Sequence, residues 1–90
     1  MTIKAMREKI AQARAVTRLD ALLHPDNVGR ILPITKHQKK SLRVDIDGRP
    51  FWVSLDSIEP LDDMTFAVIG PPGPYHNETL AIYRLEMDLA

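Results

Sequence analysis

The residues with the clearest chemical potential are cations. Lys36, His37, Gln38, Lys39 and Lys40 follow one another, with Arg30 and Arg43 on flanking positions that alternate toward the same side. Several cations on a protruding tip can neutralise phosphates, an interaction that weakens steeply with salt. Trp52 lies on the returning segment beside them, and an exposed indole can stack on a base or anchor a protein contact. Arg30, Lys36, Lys39, Lys40, Arg43 and Trp52 therefore form a candidate nucleic-acid-binding set. A lysine-rich tip also keeps a hairpin soluble and its edge unpaired, and the N-terminal helix is expected to cover Trp52.

A second group is acidic: Asp56, Glu59, Asp62 and Asp63. Nothing in their spacing forces two carboxylates into one pocket, so acid/base catalysis is not indicated. With Tyr75 in the neighbouring "PPGPYHNE" segment, they could instead face the basic groove of a protein partner. That segment could also be read by an aromatic groove that takes proline-rich chains. His24, His37 and His76 lack ligand spacing, and the absence of cysteine removes thiolate metal sites, thiol nucleophiles and disulfides. No serine sits in a nucleophile-elbow context, and "GPPGP" places prolines where a phosphate cradle needs N–H groups. The chain reads as non-catalytic, with no cofactor.

Charge is unevenly distributed. Residues 1–49 carry eleven Lys/Arg against five acids, a net +6, and residues 50–90 carry one against seven, a net −6. Such a split makes a basic face, an acidic face, or two halves that attract each other.

These side chains need elements to hold them, and the 90 residues suit one domain, 44% of them hydrophobic and 27% charged. No apolar run approaches the ~18 residues of a membrane span, and "MTIKAMREKIAQARAVTRL" has charges every few residues, unlike a signal peptide. A cytoplasmic protein is the expectation. Thr2 is placed to cap a helix rich in Ala, Arg, Glu, Lys and Gln. Ile3, Met6, Ile10 and Ala13 make one apolar stripe; Val16, Leu19 and Leu23 make another, rotated around the axis. The periodicity predicts one helix over residues 1–24, with a break near Val16 and a second helix capped by Thr17 as the alternative. His24-Pro25 ends it. The stripe also allows a homodimer.

From Val28 the period becomes two. Pro33 implies an edge position or a bulge. "SLRVDID" alternates with Leu42, Val44 and Ile46 inward, Asp47-Gly48 signals a hairpin turn, and "RPFWVSL" returns with Phe51, Val53 and Leu55 on one face. "DSIEPLDD" reads as a turn around Ile58 and Leu61, and "MTFAVIG" as a strand ended by Gly70. Over residues 79–89, alternation puts Ala81, Tyr83, Leu85, Met87 and Leu89 inward on a strand; a terminal helix competes. The expected fold is α+β: an N-terminal helix on a small bent antiparallel sheet, residues 28–90, of about five strands.

Over Val28 to Pro60 the chain resembles a small SH3-like β-barrel of the Tudor or KOW sort. Gly29, the turn Asp47-Gly48, the strand Phe51-Trp52-Val53, and Leu55, Ile58 and Pro60 carry the resemblance. It implies a barrel that binds RNA, DNA, peptides or methylated side chains, or builds assemblies. The aromatics here do not make the cage that methyl-lysine requires. Two functional expectations follow. One is a regulatory binding protein that holds nucleic acid through its basic hairpin and helix face. The other is a protein–protein adaptor or inhibitor, of the kind phages or mobile elements encode, acting through the acidic half and the Pro71–Glu78 loop.

Overall fold

Thr2 opens helix α1 (Ile3–Gln12), its hydroxyl accepting the Ala5 N–H at 3.1 Å. The computed structural model describes residues 1–23, 25–74 and 76–87. In it the helix stops at Gln12, not near Leu23: Ala13 is extended, and strand β1 (Ala15–Ala21) follows at once. The rotation between the two apolar stripes marks this boundary. Past Ala13 four successive residues, Ala15 to Arg18, are buried, with Val16 and Arg18 on one face, and pairing on both sides of the strand outweighs the modest helix propensity of "RAVTRL".

A single 3-10 turn, Pro25–Asn27, leads to β2 (Ile31–Gln38), β3 (Ser41–Ile46) and β4 (Arg49–Ser54). Then come β5 (Ile58–Pro60), β6 (Thr65–Ile69) and β7 (Thr79–Glu86). They form one seven-stranded antiparallel sheet in the order β4-β3-β2-β1-β7-β6-β5. The two strands beyond the expected five are β1, expected as helix, and β5, expected as a turn. β7 is the strand its alternation predicts: Ala81, Tyr83 and Leu85 are buried and Met87 is half-buried. Leu89 lies outside the described residues. The Asp47-Gly48 turn has φ of 52° and 80°, as a type I′ hairpin turn requires.

β2 bends the sheet. Ile31, Leu32 and Pro33 pair with β1, whereas Ile34 and the residues from Lys36 to Gln38 pair with β3. Pro33 is thus interior to the sheet, not on an edge. Pairing with β3 begins only at Ile34, so the missing N–H breaks no bond there. Next to it, Thr35 is an extra residue in the β2–β3 register, the bulge that the proline implied. In a flat sheet β1 and β4 would stand three strand spacings apart, roughly 14 Å. Instead the Arg18 guanidinium of β1 lies 5.3 Å from the ring centre of Phe51 in β4. The two halves face each other without closing, and β4 and β5 remain as edges of an open sheet.

Between them lies one core, which includes Leu32, Leu42, Val53, Leu55, Phe66, Tyr83 and Leu85. Helix α1 contributes Met6 and Ile10, both fully buried, each worth about 1.5–3 kcal/mol of apolar transfer. The helix stripe is therefore used within the chain, except Ile3, which is exposed.

Gly48→Ala should lower unfolding free energy by about 1–2 kcal/mol, because a Cβ is disfavoured at its positive φ. Urea titration should move the midpoint with an unchanged slope; an unmoved midpoint would contradict the turn assignment.

Candidate functional site

Lys39 and Lys40 are the two connecting residues of the β2–β3 hairpin, between Gln38 and Ser41, whose hydroxyl donates to Gln38 Oε1 at 3.0 Å. The tip is held from behind. The Leu55 N–H donates to the Lys40 carbonyl at 2.8 Å, and Arg7 Nη1 donates to the Lys39 carbonyl at 3.4 Å. Helix α1 thereby lays Lys4 and Arg7 beside His37 and Lys39. Together with Ile3 and Leu55 they line an open groove of about 440 Å³, in which Glu8 is the one acid among the described residues.

Around the tip, on the outer face, a second group aligns. Lys36 pairs with Arg43, and Arg43 with Trp52, so the three side chains form a row across β2, β3 and β4. The Thr35 bulge produces this row: without it, continued alternation from Leu32 and Ile34 would turn Lys36 inward. Trp52 is 49% exposed. The expectation that the helix covers it is overturned, because Met6 and Ile10 seat α1 on the inner, core side.

Arg30 does not join this group. It sits at the opposite end of β3, where Nη2 and Nη1 donate to the two Asp47 oxygens at 2.8 and 3.1 Å. That bidentate pair lowers the Asp47 carboxyl and raises the Arg30 guanidinium, first by hydrogen bonding and then by charge. Arg30 ties the start of β2 to the type I′ turn.

The acidic residues are spread along the β5 side. Asp62 Oδ1 accepts the Met64 N–H at 2.9 Å, and this bond, followed by one from the Thr65 side chain, holds its carboxyl below the ordinary range. Lys9 Nζ donates to the Asp63 carbonyl at 2.9 Å, which brings a helix cation into the acidic turn. Asp56 and Glu59 are exposed, before and within β5. Tyr75 and His24 lie outside the described residues. Among the described residues, no three His, Asp or Glu side chains converge as metal ligands, and no helix is long and apolar enough to cross a membrane.

Arg18 is the residue that sequence reasoning missed. Helical periodicity places it on the N-terminal helix; as the cross-strand neighbour of Tyr83 it instead points into the bent sheet and is only 3% exposed. Its guanidinium lies 5.3 Å from the Phe51 ring centre and 5.8 Å from that of Tyr83, within cation–π range of both. Nη2 donates to the Leu23 carbonyl at 2.8 Å, while Nε and Nη1 have no partner among the described residues. The inward period Val16–Arg18 was the available signal, but it becomes visible only once the helix boundary is known.

Comparison with protein-family models, with curated proteins and with solved structures finds no match.

Among the described residues three carboxyls are held low: Asp47, Asp62, and Glu86, which accepts the Thr17 hydroxyl at 2.6 Å and Arg84 Nε at 3.1 Å. Lowered folded values make the unfolded chain the better proton binder in acid. Their contribution is complete above the ordinary carboxylate range of about pH 4 and is lost as pH falls through the folded values. Urea midpoints should therefore fall on acidification from pH 5 to 3, and less steeply in Glu86→Gln. A midpoint that rises over this interval would contradict the assignment.

Proposed function

We propose that this chain is a non-catalytic binding protein that holds nucleic acid at the β2–β3 hairpin tip and the adjoining face of α1. One observation carries the reading. Lys4, Arg7 and Lys39 line the groove on the helix side of the hairpin, Lys36 and Arg43 form a row with the exposed Trp52 on its outer face, and Lys39 and Lys40 stand at the tip where the two faces meet. Nearby counter-charge is sparse: Glu8 lines the groove, and Asp45 stands 4.0 Å from Arg43. Cations at this density follow a phosphate backbone, and an indole beside them stacks on an unpaired base, so single strands are preferred. The strand shared between two facing half-sheets supports reading the domain as a relative of SH3-like binding modules in an open form.

The acidic alternative has weaker support. Asp62 is committed to its own turn, and Lys9 occupies the Asp63 carbonyl.

A labelled 20-nucleotide single strand and the matching duplex test the proposal at increasing salt. The expected slope of log K against log[salt] for the single strand is about −3 to −4, from ~0.7 per phosphate over roughly five contacts. Lys39→Glu with Lys40→Glu should weaken binding across sequences, and Trp52→Ala should cost about 1–3 kcal/mol on the single strand alone. Arg30→Gln should leave affinity unchanged. Absence of binding to either probe at low salt sinks the proposal.

A further inference from the structure

The bend in the sheet leaves a cleft of about 280 Å³ between its two halves, lined by Arg18, Leu23, Phe51, Trp52, Leu80 and Tyr83 among others. Its walls are mainly apolar, and among the described residues Arg18 is the one charge lining it. Guanidinium groups keep their charge in proteins, so burial imposes a desolvation cost that deprotonation does not relieve. The two flanking rings offset part of it. No carboxylate among the described residues forms a salt bridge with Arg18. The Tyr83 hydroxyl supplies no anion either: burial pushes its ionisation up, against the smaller opposing pull of Arg18.

From this we infer that the cleft is a binding site for a small amphipathic carboxylate, whose acid group pairs with Arg18 and whose apolar body lies against Phe51, Leu80 and Trp52. The argument is one of geometry and complementary charge. A guanidinium presents two edges to a carboxylate, one through Nε and Nη2 and the other through Nη1 and Nη2. Leu23 takes a single hydrogen of Nη2. Among the described residues Nε and Nη1 both lack a partner, so one complete edge stays free for a bidentate acid. A lone cation matches a monoanion; a phosphate dianion calls for more donors than this cleft has. The volume lies below the ~300–1,000 Å³ of clefts for drug-sized ligands, which fits a body of one or two rings or a short alkyl chain. Nε and Nη1 are closed to bulk solvent at rest. Entry therefore displaces the rim side chains Leu23 and Trp52, both substantially exposed. The site is independent of the basic hairpin surface, sharing with it only Trp52.

Naphthalene-2-carboxylate, benzoate and octanoate are the probes, each set against its neutral carboxamide. A peptide ending Leu-Phe is added with a free and with an amidated C-terminus, to separate a free small acid from a chain terminus as the source of the carboxylate. Binding is read from the fluorescence of Trp52, the one tryptophan, and from the Arg18 Nε–H resonance. At least one acid should shift both signals saturably and bind about tenfold or more tightly than its amide. Arg18→Met should abolish the difference between acid and amide. Should that variant fail to fold, the acid–amide contrast and the Nε–H shift in the unaltered protein still decide. Equal binding of acids and amides, an unmoved Nε–H resonance, or no saturation by any acid at millimolar concentration would each overturn the inference.

Discussion

The structure depends on the exchange of partners within β2. Its first three residues complete one half-sheet with β1, and its remainder begins the other with β3. The proline at position 33 is tolerated in the middle of a sheet because it falls at this exchange, where no ladder bond is lost. The fold that results brings β4 against β1 and β7 across the core, so that side chains of the two halves bury one another. Folding over lets the two halves of the sheet cover each other, with one ten-residue helix among the described residues packed beside them. The helix closes one side of the gap through Met6 and Ile10, and the Arg18 cleft is what the two halves leave open elsewhere.

The same exchange sets both candidate surfaces. The bulge at Thr35 lies directly after it and turns Lys36 outward, into register with Arg43 and Trp52. On β1 a second shift, between Arg18 and Asp20, makes Leu19 the extra residue, so that Arg18 is the last inward residue before it. The outer basic row thus follows from the Thr35 bulge, whereas Arg18 faces inward by plain alternation from Val16, just ahead of the irregularity on β1. Of the three ion pairs among the described residues, none joins the basic and acidic halves of the sequence. The halves meet electrostatically near Lys9, which approaches the turn at Asp62 and Asp63.

Much of the β-structure was legible because alternation and turn chemistry are local. Leu42, Val44, Val53 and Leu55 are buried as their spacing requires, and Asp47-Gly48 forms its type I′ turn. The helix boundary was not, since Ala15, Arg18 and Leu19 favour helix as isolated residues, and their strand state comes from β2 and β7, both distant in sequence. β5 was hidden because three residues carry too little pattern; its pairing with β6 defines it. The basic tip was readable from composition alone. Arg30 was misplaced with it because its partner, Asp47, lies seventeen positions away and across a strand. The separation of Arg18 from every other candidate residue was likewise a matter of tertiary position.

The bend is tested most directly by coupling across it. Arg18 and Phe51 belong to strands separated by two others, so they meet only if the sheet folds over. A double-mutant cycle with Arg18→Met and Phe51→Leu, measured by urea unfolding, should give a coupling free energy of about 0.5–2 kcal/mol, the range of a desolvated cation–π contact. Additivity within about 0.3 kcal/mol, as for residues more than 7–10 Å apart, would contradict the bent sheet and with it the cleft.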